Sequence, residues 1–432
     1  MSDERSSDRG GGNGAAPFRV SRAAARRYLA ERHFLRPPRS LPSGKGSVLA
    51  LVARLGSLQF DPVDLAGRNH EIVCGSRIRD FAPRWLDELL YDVNPARRQL
   101  VEQYNKALNI VPMSELPYYR RTADRARERY WRDGTYRRLK RYADEVLRRI
   151  EREGPLSAAD FGPSRKVAWW WGPTPGYRAA LEMLSYAGVL FLARREGSRR
   201  WFDLAERLIP PAIYAKRVTD DEQQAHRLLS RYRAHGLLAF NASSEIWLSG
   251  PHRERRALTK RLVAEGHLAE VAIDGIEAPH HLPAAELFAL DAAAIATSGS
   301  RPVAADPNAV AIIAPLDPIV WDRKGLRSLY GFDYKWEIYT PPAKRLYGPY
   351  AMPIHAGDRF AGRIQLRREG STLLVNGLWW ERGVRPAHHL EGLAAALDAQ
   401  GRMIGAERVE VVDGLLTSAG ERRLLRAARA LR

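Results

Sequence analysis

The chain has 432 residues, 45% of them hydrophobic, enough for a substantial core spread over two to four domains. A formal net charge of +19 favours a polyanionic partner such as nucleic acid; only nine of the 69 basic residues are lysine, although a GC-rich genome also inflates arginine. The single cysteine, Cys74, excludes a disulfide framework and a thiolate metal site, and no run of about 18 apolar residues marks a membrane span.

Residues 1–16 are rich in Gly, Ser and charge and are expected to be disordered. Helical periodicity begins after Ser21, a capping hydroxyl, and stops before Pro37-Pro38. A second helix places Val48, Leu51, Val52 and Leu55 on one face and ends at Gly56. Leu58-Gln59-Phe60-Asp61 then alternates apolar and polar residues until Pro62 blocks further pairing, which reads as a short half-buried strand. Gln59 and Asp61 are expected on one face, Cα atoms about 6–7 Å apart, close enough to hold one water between them. Asp-Pro is also an ordinary turn start, and Asp64 is a competing carboxylate. Cys74 reads as a small buried hydrophobe.

Trp85, Leu86, Leu89 and Leu90 form a helical stripe, and Tyr118 to Trp131 an Arg-rich helix with interleaved aromatics. Such a segment suits backbone contact and stacking on nucleic acid, or a solvated helix with its rings packed inward. A second helix-turn-helix follows, with Tyr142, Val146, Leu147 and Ile150 on one helix and a second helix ending near Gly188. Two short strands around Gly197-Ser198 complete a winged-helix order with a basic wing. Trp169-Trp170-Trp171 reads as core packing, with a surface platform as the alternative. Thr219 with Asp220, Asp221 and Glu222 resembles a capped helix start, and a helix at Arg255–Glu265 and a strand and turn over Leu268–Gly275 make a third, weaker unit of the same order.

From about Ala309 the character changes. Val310–Ala314, Trp336–Thr340, Arg359–Leu366 and Thr372–Trp380 are strand-like and separated by turns, implying a small antiparallel β-barrel or sandwich. A helical tail starts near Pro386, with a further helical stretch from Leu415 to Leu431. The expected class is α+β: three tandem winged helices, a C-terminal β-barrel and a terminal helix. The expected boundaries are a tail at 1–16, units at 17–135, 136–215 and 216–305, and a β-domain with helical tail at 306–432.

Gln59-Phe60-Asp61 with Arg68-Asn69-His70-Glu71 resembles the signature of the winged-helix DNA glycosylases that unhook interstrand crosslinks, the YcaQ/AlkZ-like family. The resemblance continues through Pro315-Leu316-Asp317-Pro318, Tyr330-Gly331-Phe332, Trp336-Glu337-Ile338-Tyr339, Lys344-Arg345-Leu346-Tyr347-Gly348, Gly357–Arg363 and Trp379-Trp380-Glu381, in the same order, over roughly residues 18–400. It implies hydrolysis of the N-glycosidic bond of an alkylated purine, with Asp61 stabilising the sugar cation and activating water and Gln59 positioning that water. Aspartate at the second polar position, where the azinomycin-resistance branch has glutamine, points to the branch acting on N7-alkylguanine and nitrogen-mustard-type crosslinks. Arg68, Asn69, His70, Arg178, Lys344 and Arg345 are the candidate DNA contacts, Lys344 and Arg345 in a hairpin tip or turn.

No HExxH, paired CxxC or Gly-rich phosphate loop occurs, so no metal or cofactor is expected. The expected partner is double-stranded DNA with alkylated or crosslinked bases, bound by a monomeric, cytoplasmic, nucleoid-associated protein without membrane contact. A winged-helix transcription regulator without chemistry is the rival; it leaves the Gln59/Asp61 pair and the C-terminal blocks unexplained.

Overall fold

The computed structural model describes residues 17–415 except Lys106, Trp171, Glu245, 248–251, 299–305, 307–308 and Asp413. The N-terminal tail and nearly all of the Leu415–Leu431 stretch lie outside the described residues. The architecture is mixed α and β, helices alternating with small sheets, and a curled half-barrel sheet closes the described chain.

Helix Arg22–Arg32 starts where Ser21 Oγ accepts the Ala24 N–H at 3.1 Å. Helix Lys45–Leu55 buries the stripe Val48, Leu51, Val52 and Leu55 completely and stops at Gly56, whose φ of 70° is the left-handed turn that glycine takes without a Cβ penalty. Beside it lies a three-stranded antiparallel sheet with Ala107–Pro112 between Leu58–Gln59 and Leu100–Asn105. Helices Leu116–Arg132 and Thr135–Glu153 lead to helix Gly176–Tyr186 and the hairpin Leu190–Glu196/Arg199–Leu204. Tyr142, Val146 and Ile150 pack there against Ala180, Leu184 and Phe202. The expected cap at Thr219 is a capping box with Glu222 that opens helix Asp220–His235. Helix His252–Ala264 and the hairpin Leu268–Ile273/Ile276–Pro283 follow.

Two long-range features depart from the serial division expected from sequence. Strand Phe18–Val20 pairs in parallel with Leu268–Ile273, and the first helix buries Ala24, Ala25, Tyr28 and Leu29 in a core with Leu237, Val271, Leu282 and Leu290. The start of the expected 17–135 unit is thus built into the third helix-and-hairpin unit. Second, the core around Val48, Leu51, Leu58 and Ile110 is continuous with Val310, Ile354, Ile364, Leu373 and Leu393 of the C-terminal sheet. These segments share one interior because neither apolar face is covered within its own stretch of chain.

The C-terminal sheet runs in the order Val310–Ile312, Ala351–Ala356, Arg359–Glu369, Thr372–Trp380, Arg408–Val411. The first four strands form an antiparallel meander, and helix Leu390–Met403 carries the chain to the last, which pairs in parallel. The sheet is open and of mixed direction, which corrects the expectation of a closed antiparallel barrel: its two edge strands do not pair. Trp336–Thr340 is also not a strand. It belongs to an irregular segment organised by the Glu337 carboxylate, which accepts the backbone N–H groups of Leu346, Tyr347 and Gly348 at 2.8–3.1 Å. Strand Ala351–Ala356 takes its place, buried on both faces.

Candidate active site

Strand Leu58–Gln59 is held by its register with Ile110 and Asn109, and the Phe60 N–H donates to Leu108 O at 2.9 Å. Regular pairing ends there. Asp61 Oδ1 accepts the Val63 N–H at 2.8 Å, the Asx-type turn that an Asp-Pro start favours. The turn reading of Asp61 holds, and it uses one oxygen of a carboxylate that is only 8% exposed. The other oxygen has no hydrogen-bond partner among the described residues. Burial raises the Asp61 pKa and the Val63 N–H partly opposes it; no cation offsets the loss of water. Asp64 is exposed and closes its own turn through the Gly67 N–H at 2.9 Å.

The Gln59 side chain, half-buried and without a hydrogen bond among the described residues, forms part of the wall of a cleft of about 1190 Å³. Arg231, Arg255, Lys324, Arg327 and Lys335 line the same cleft, giving it a strongly positive potential. Asp61, two residues further along the chain, is not among the residues that line it and lies close enough to Tyr350 to act on its hydroxyl. Burial first, then the Asp61 carboxylate, pushes the Tyr350 hydroxyl far above its usual range. That hydroxyl is buried without a partner, and so is the indole N–H of Trp336, whose ring meets Tyr350 edge-on at 6.1 Å. Tyr350 and Trp336 were not singled out as site residues from sequence. Trp336 lay in a recognisable block, but its contact with Tyr350 depends on the long-range fold.

The residues after the motif hold it in place. Asn69 is fully buried; its amide donates to Gln59 O at 2.9 Å and its Oδ1 accepts the Leu316 N–H at 3.0 Å, joining the motif to the C-terminal segment. His70 is also buried, stacked on Phe60 at 4.5 Å, and burial together with Arg68 and Arg195 lowers its pKa, keeping the ring neutral. Neither presents a polar group at the surface, so the expected DNA contacts by Asn69 and His70 do not fit their placement: both serve the motif from beneath. Arg195 covers the Phe60 ring at 4.4 Å and is itself ion-paired to buried Glu102. Beyond the end of helix Asn69–Gly75, Arg77 makes a fully buried bidentate pair with Asp317 at 2.6 and 3.0 Å. Cys74 is buried, and burial raises its thiol far above the ordinary range.

The remaining candidates are scattered. Arg68 is half-buried and pairs with Glu71 across the start of helix Asn69–Gly75. Arg178 is exposed and pairs with Glu182 at 3.3 Å. Lys344 is exposed and, among the described residues, unpaired, whereas Arg345 Nε donates to Thr340 O at 2.8 Å. These two occupy a single tight turn, Pro342–Lys344 and its cap, within the irregular segment rather than a hairpin tip. The tryptophan run also differs from the packing expected: Trp169 is half-buried, and Trp170 is 49% exposed.

No helix among the described residues is long and apolar enough to cross a membrane. In a search of solved structures, the Streptomyces sahachiroi DNA glycosylase AlkZ superposes with a TM-score of 0.56 at 16% identity, covering 91% of this chain and 99% of that one. At that identity the likeness is one of fold. The family described as DNA glycosylase AlkZ-like matches residues 52–406, a span that contains the Gln59 cleft, Asp61 and the C-terminal sheet. By this match over most of its length, the chain belongs to the AlkZ-like DNA glycosylase family.

Proposed function

We propose that this DNA glycosylase hydrolyses the N-glycosidic bond of N7-alkylated purines and unhooks interstrand crosslinks, with Asp61 and Gln59 as its catalytic pair. The observation that carries the reading is the Asp61 carboxylate, desolvated, unpaired by any cation among the described residues and with one oxygen uncommitted, two residues along the chain from Gln59, whose amide makes no hydrogen bond among the described residues. N7 alkylation makes the base cationic, so the C1′–N9 bond breaks with its electron pair returning to the base and no general acid is required. The sugar is left oxocarbenium-like, and a poorly solvated carboxylate stabilises that charge more strongly than one in water. Water held by the Gln59 amide then bonds to C1′, and its proton passes to Asp61.

The open, positively charged cleft suits a bulky tethered lesion better than a closed pocket fitted to a small base. The helix-and-hairpin units read as three winged helices, acting as a monomer on duplex DNA, with Arg68, Arg178, Lys344 and Arg345 as candidate phosphate contacts. The test is incubation with duplex carrying N7-methylguanine or a nitrogen-mustard crosslink, followed by quantification of abasic sites. Wild type should release base; Asp61→Asn should not, while binding duplex within about twofold. Activity preserved in Asp61→Asn would remove the assignment.

A further inference from the structure

A second cleft, of about 460 Å³, is lined by Glu102, Gln103 and Tyr104 of strand Leu100–Asn105, at the opposite edge of the three-stranded motif sheet from strand Leu58–Gln59. Its walls carry an aromatic array that the glycosidic chemistry does not use. Tyr186 sits between two rings that are open to solvent, Tyr104 at 4.7 Å and Trp170 at 4.6 Å, which are 44% and 49% exposed. Trp170 is backed by Trp169, stacked at 5.2 Å and 4°, and Trp169 is fixed by its indole N–H on Glu182 at 2.8 Å. Half-exposed rings held rigidly from behind form a surface on which another planar group can stack at little entropic cost.

The charges around the array select the class of ligand. Three of the arginines in this cleft are occupied: Arg125 by Asp220, Arg195 by Glu102 and Arg200 by Glu182. Arg129 and Arg132, exposed on the same helix, Leu116–Arg132, pair with no carboxylate among the described residues. Arg129 keeps its guanidinium over the Tyr130 ring at 5.0 Å, and stacking rings beside guanidinium groups not held in ion pairs are the elements of a single-strand binding groove. The position is specific as well. Gln103, in this cleft, lies directly opposite Asn109, which lies opposite Gln59, so three amides cross the sheet from one cleft to the other. Two interstrand spacings separate the ends, about 10 Å.

We propose that this cleft binds single-stranded DNA, stacking an unpaired nucleobase on Trp170 and Tyr104 with its flanking phosphates on Arg129 and Arg132. The site holds a base displaced beside the lesion while the lesion itself occupies the Gln59 cleft. The inference rests on the chain's membership of a DNA-acting family and not on the roles given to Asp61 and Gln59.

The test uses the full chain and a short oligothymidylate with one central 2-aminopurine, whose fluorescence falls on stacking. Wild type should quench the probe. Trp170→Ala and Tyr104→Ala should each weaken binding by about tenfold, with Trp170→Phe restoring it to within about threefold of wild type. The double variant Arg129→Gln/Arg132→Gln should reduce the slope of log affinity against log salt by about 1.4, roughly 0.7 per phosphate contact on a single strand. Unchanged binding in Trp170→Ala, or an equal loss in Trp170→Phe, overturns the proposal, as does equal weakening toward fully paired undamaged duplex. Asp61→Asn, run alongside, should still quench the probe; if it does while base release also survives, the catalytic assignment fails and this one stands.

Discussion

Asn69 joins the Gln59–Asp61 motif to the C-terminal segment through one side chain, and removing that side chain tests the arrangement directly. Asn69→Ala leaves Gln59 O and the Leu316 N–H without the partners they have at 2.9 and 3.0 Å. An orphaned buried group costs about 1–3 kcal/mol. Both Gln59 and Leu316 are half-buried, so water can recover part of that loss, and the expected total is about 2 kcal/mol. Hydrogen exchange localises the effect: if the Leu316 amide loses that much protection, it exchanges about 30-fold faster. Asn69→Asp separates the two bonds, keeping an acceptor for Leu316 but turning an anion toward the Gln59 carbonyl. That variant should leave Leu316 protected and still slow base release, because Gln59 is displaced. Exchange at Leu316 unchanged within twofold in Asn69→Ala would refute the bridging role.

Gln59→Ala should reduce single-turnover base release by roughly 10²-fold, the scale of a misplaced reactant, with duplex affinity preserved; a change below about threefold contradicts water positioning by the amide. Asp61 has a raised pKa in the folded chain, so folding favours its protonated form, and its contribution to stability falls as pH rises from the unfolded value through the folded one. Asp61→Asn should therefore melt higher than wild type at pH 7, with the difference shrinking as pH falls toward the ordinary aspartate pKa of about 3.9; an equal or lower melting temperature at pH 7 would contradict the desolvation reading. By the same ionisation, single-turnover base release should lose its acid limb at a higher pH than an ordinary aspartate would give. Arg77→Met leaves buried Asp317 without its counter-ion and should cost about 3–5 kcal/mol in denaturant titrations, more than any exposed pair.

Local signals in the sequence located the elements whose cause is local. The spacing of Val48, Leu51, Val52 and Leu55 marked a helix because one face is buried along its whole length. Gly197-Ser198 marked a hairpin because the turn itself demands a left-handed residue, and Gly197 has φ 58°. Strand Ala351–Ala356 was missed because burial on both faces removes alternation and Pro353 argues against an interior strand. The parallel pairing of Phe18–Val20 with Leu268–Ile273, the Asn69 bridge and the collection of N–H groups by Glu337 have partners far apart in sequence or set by irregular backbone, which no periodicity encodes. The residue types of Asn69 and His70 suit DNA, whereas both are buried, Asn69 against Gln59 and His70 against Phe60. Trp170 failed in the opposite sense, since three tryptophans in a row suggest an interior, whereas the backing of Trp169 leaves the next ring outside.

The pairing of Val20 with Ile273 has a consequence for synthesis. At roughly 5–20 residues per second, the ribosome needs on the order of 13–50 s to add the 253 residues that follow Val20 up to and including Ile273. Throughout that interval the apolar face of Ala24, Ala25, Tyr28 and Leu29 lacks its partners Val271, Leu282 and Leu290. Co-translational folding cannot proceed from the amino end: the second helix-and-hairpin unit has a core of its own and can form early, while the first helix waits for the third. The nascent chain is expected to depend on holding chaperones, and a fragment ending near residue 135 would carry an uncovered helix and aggregate.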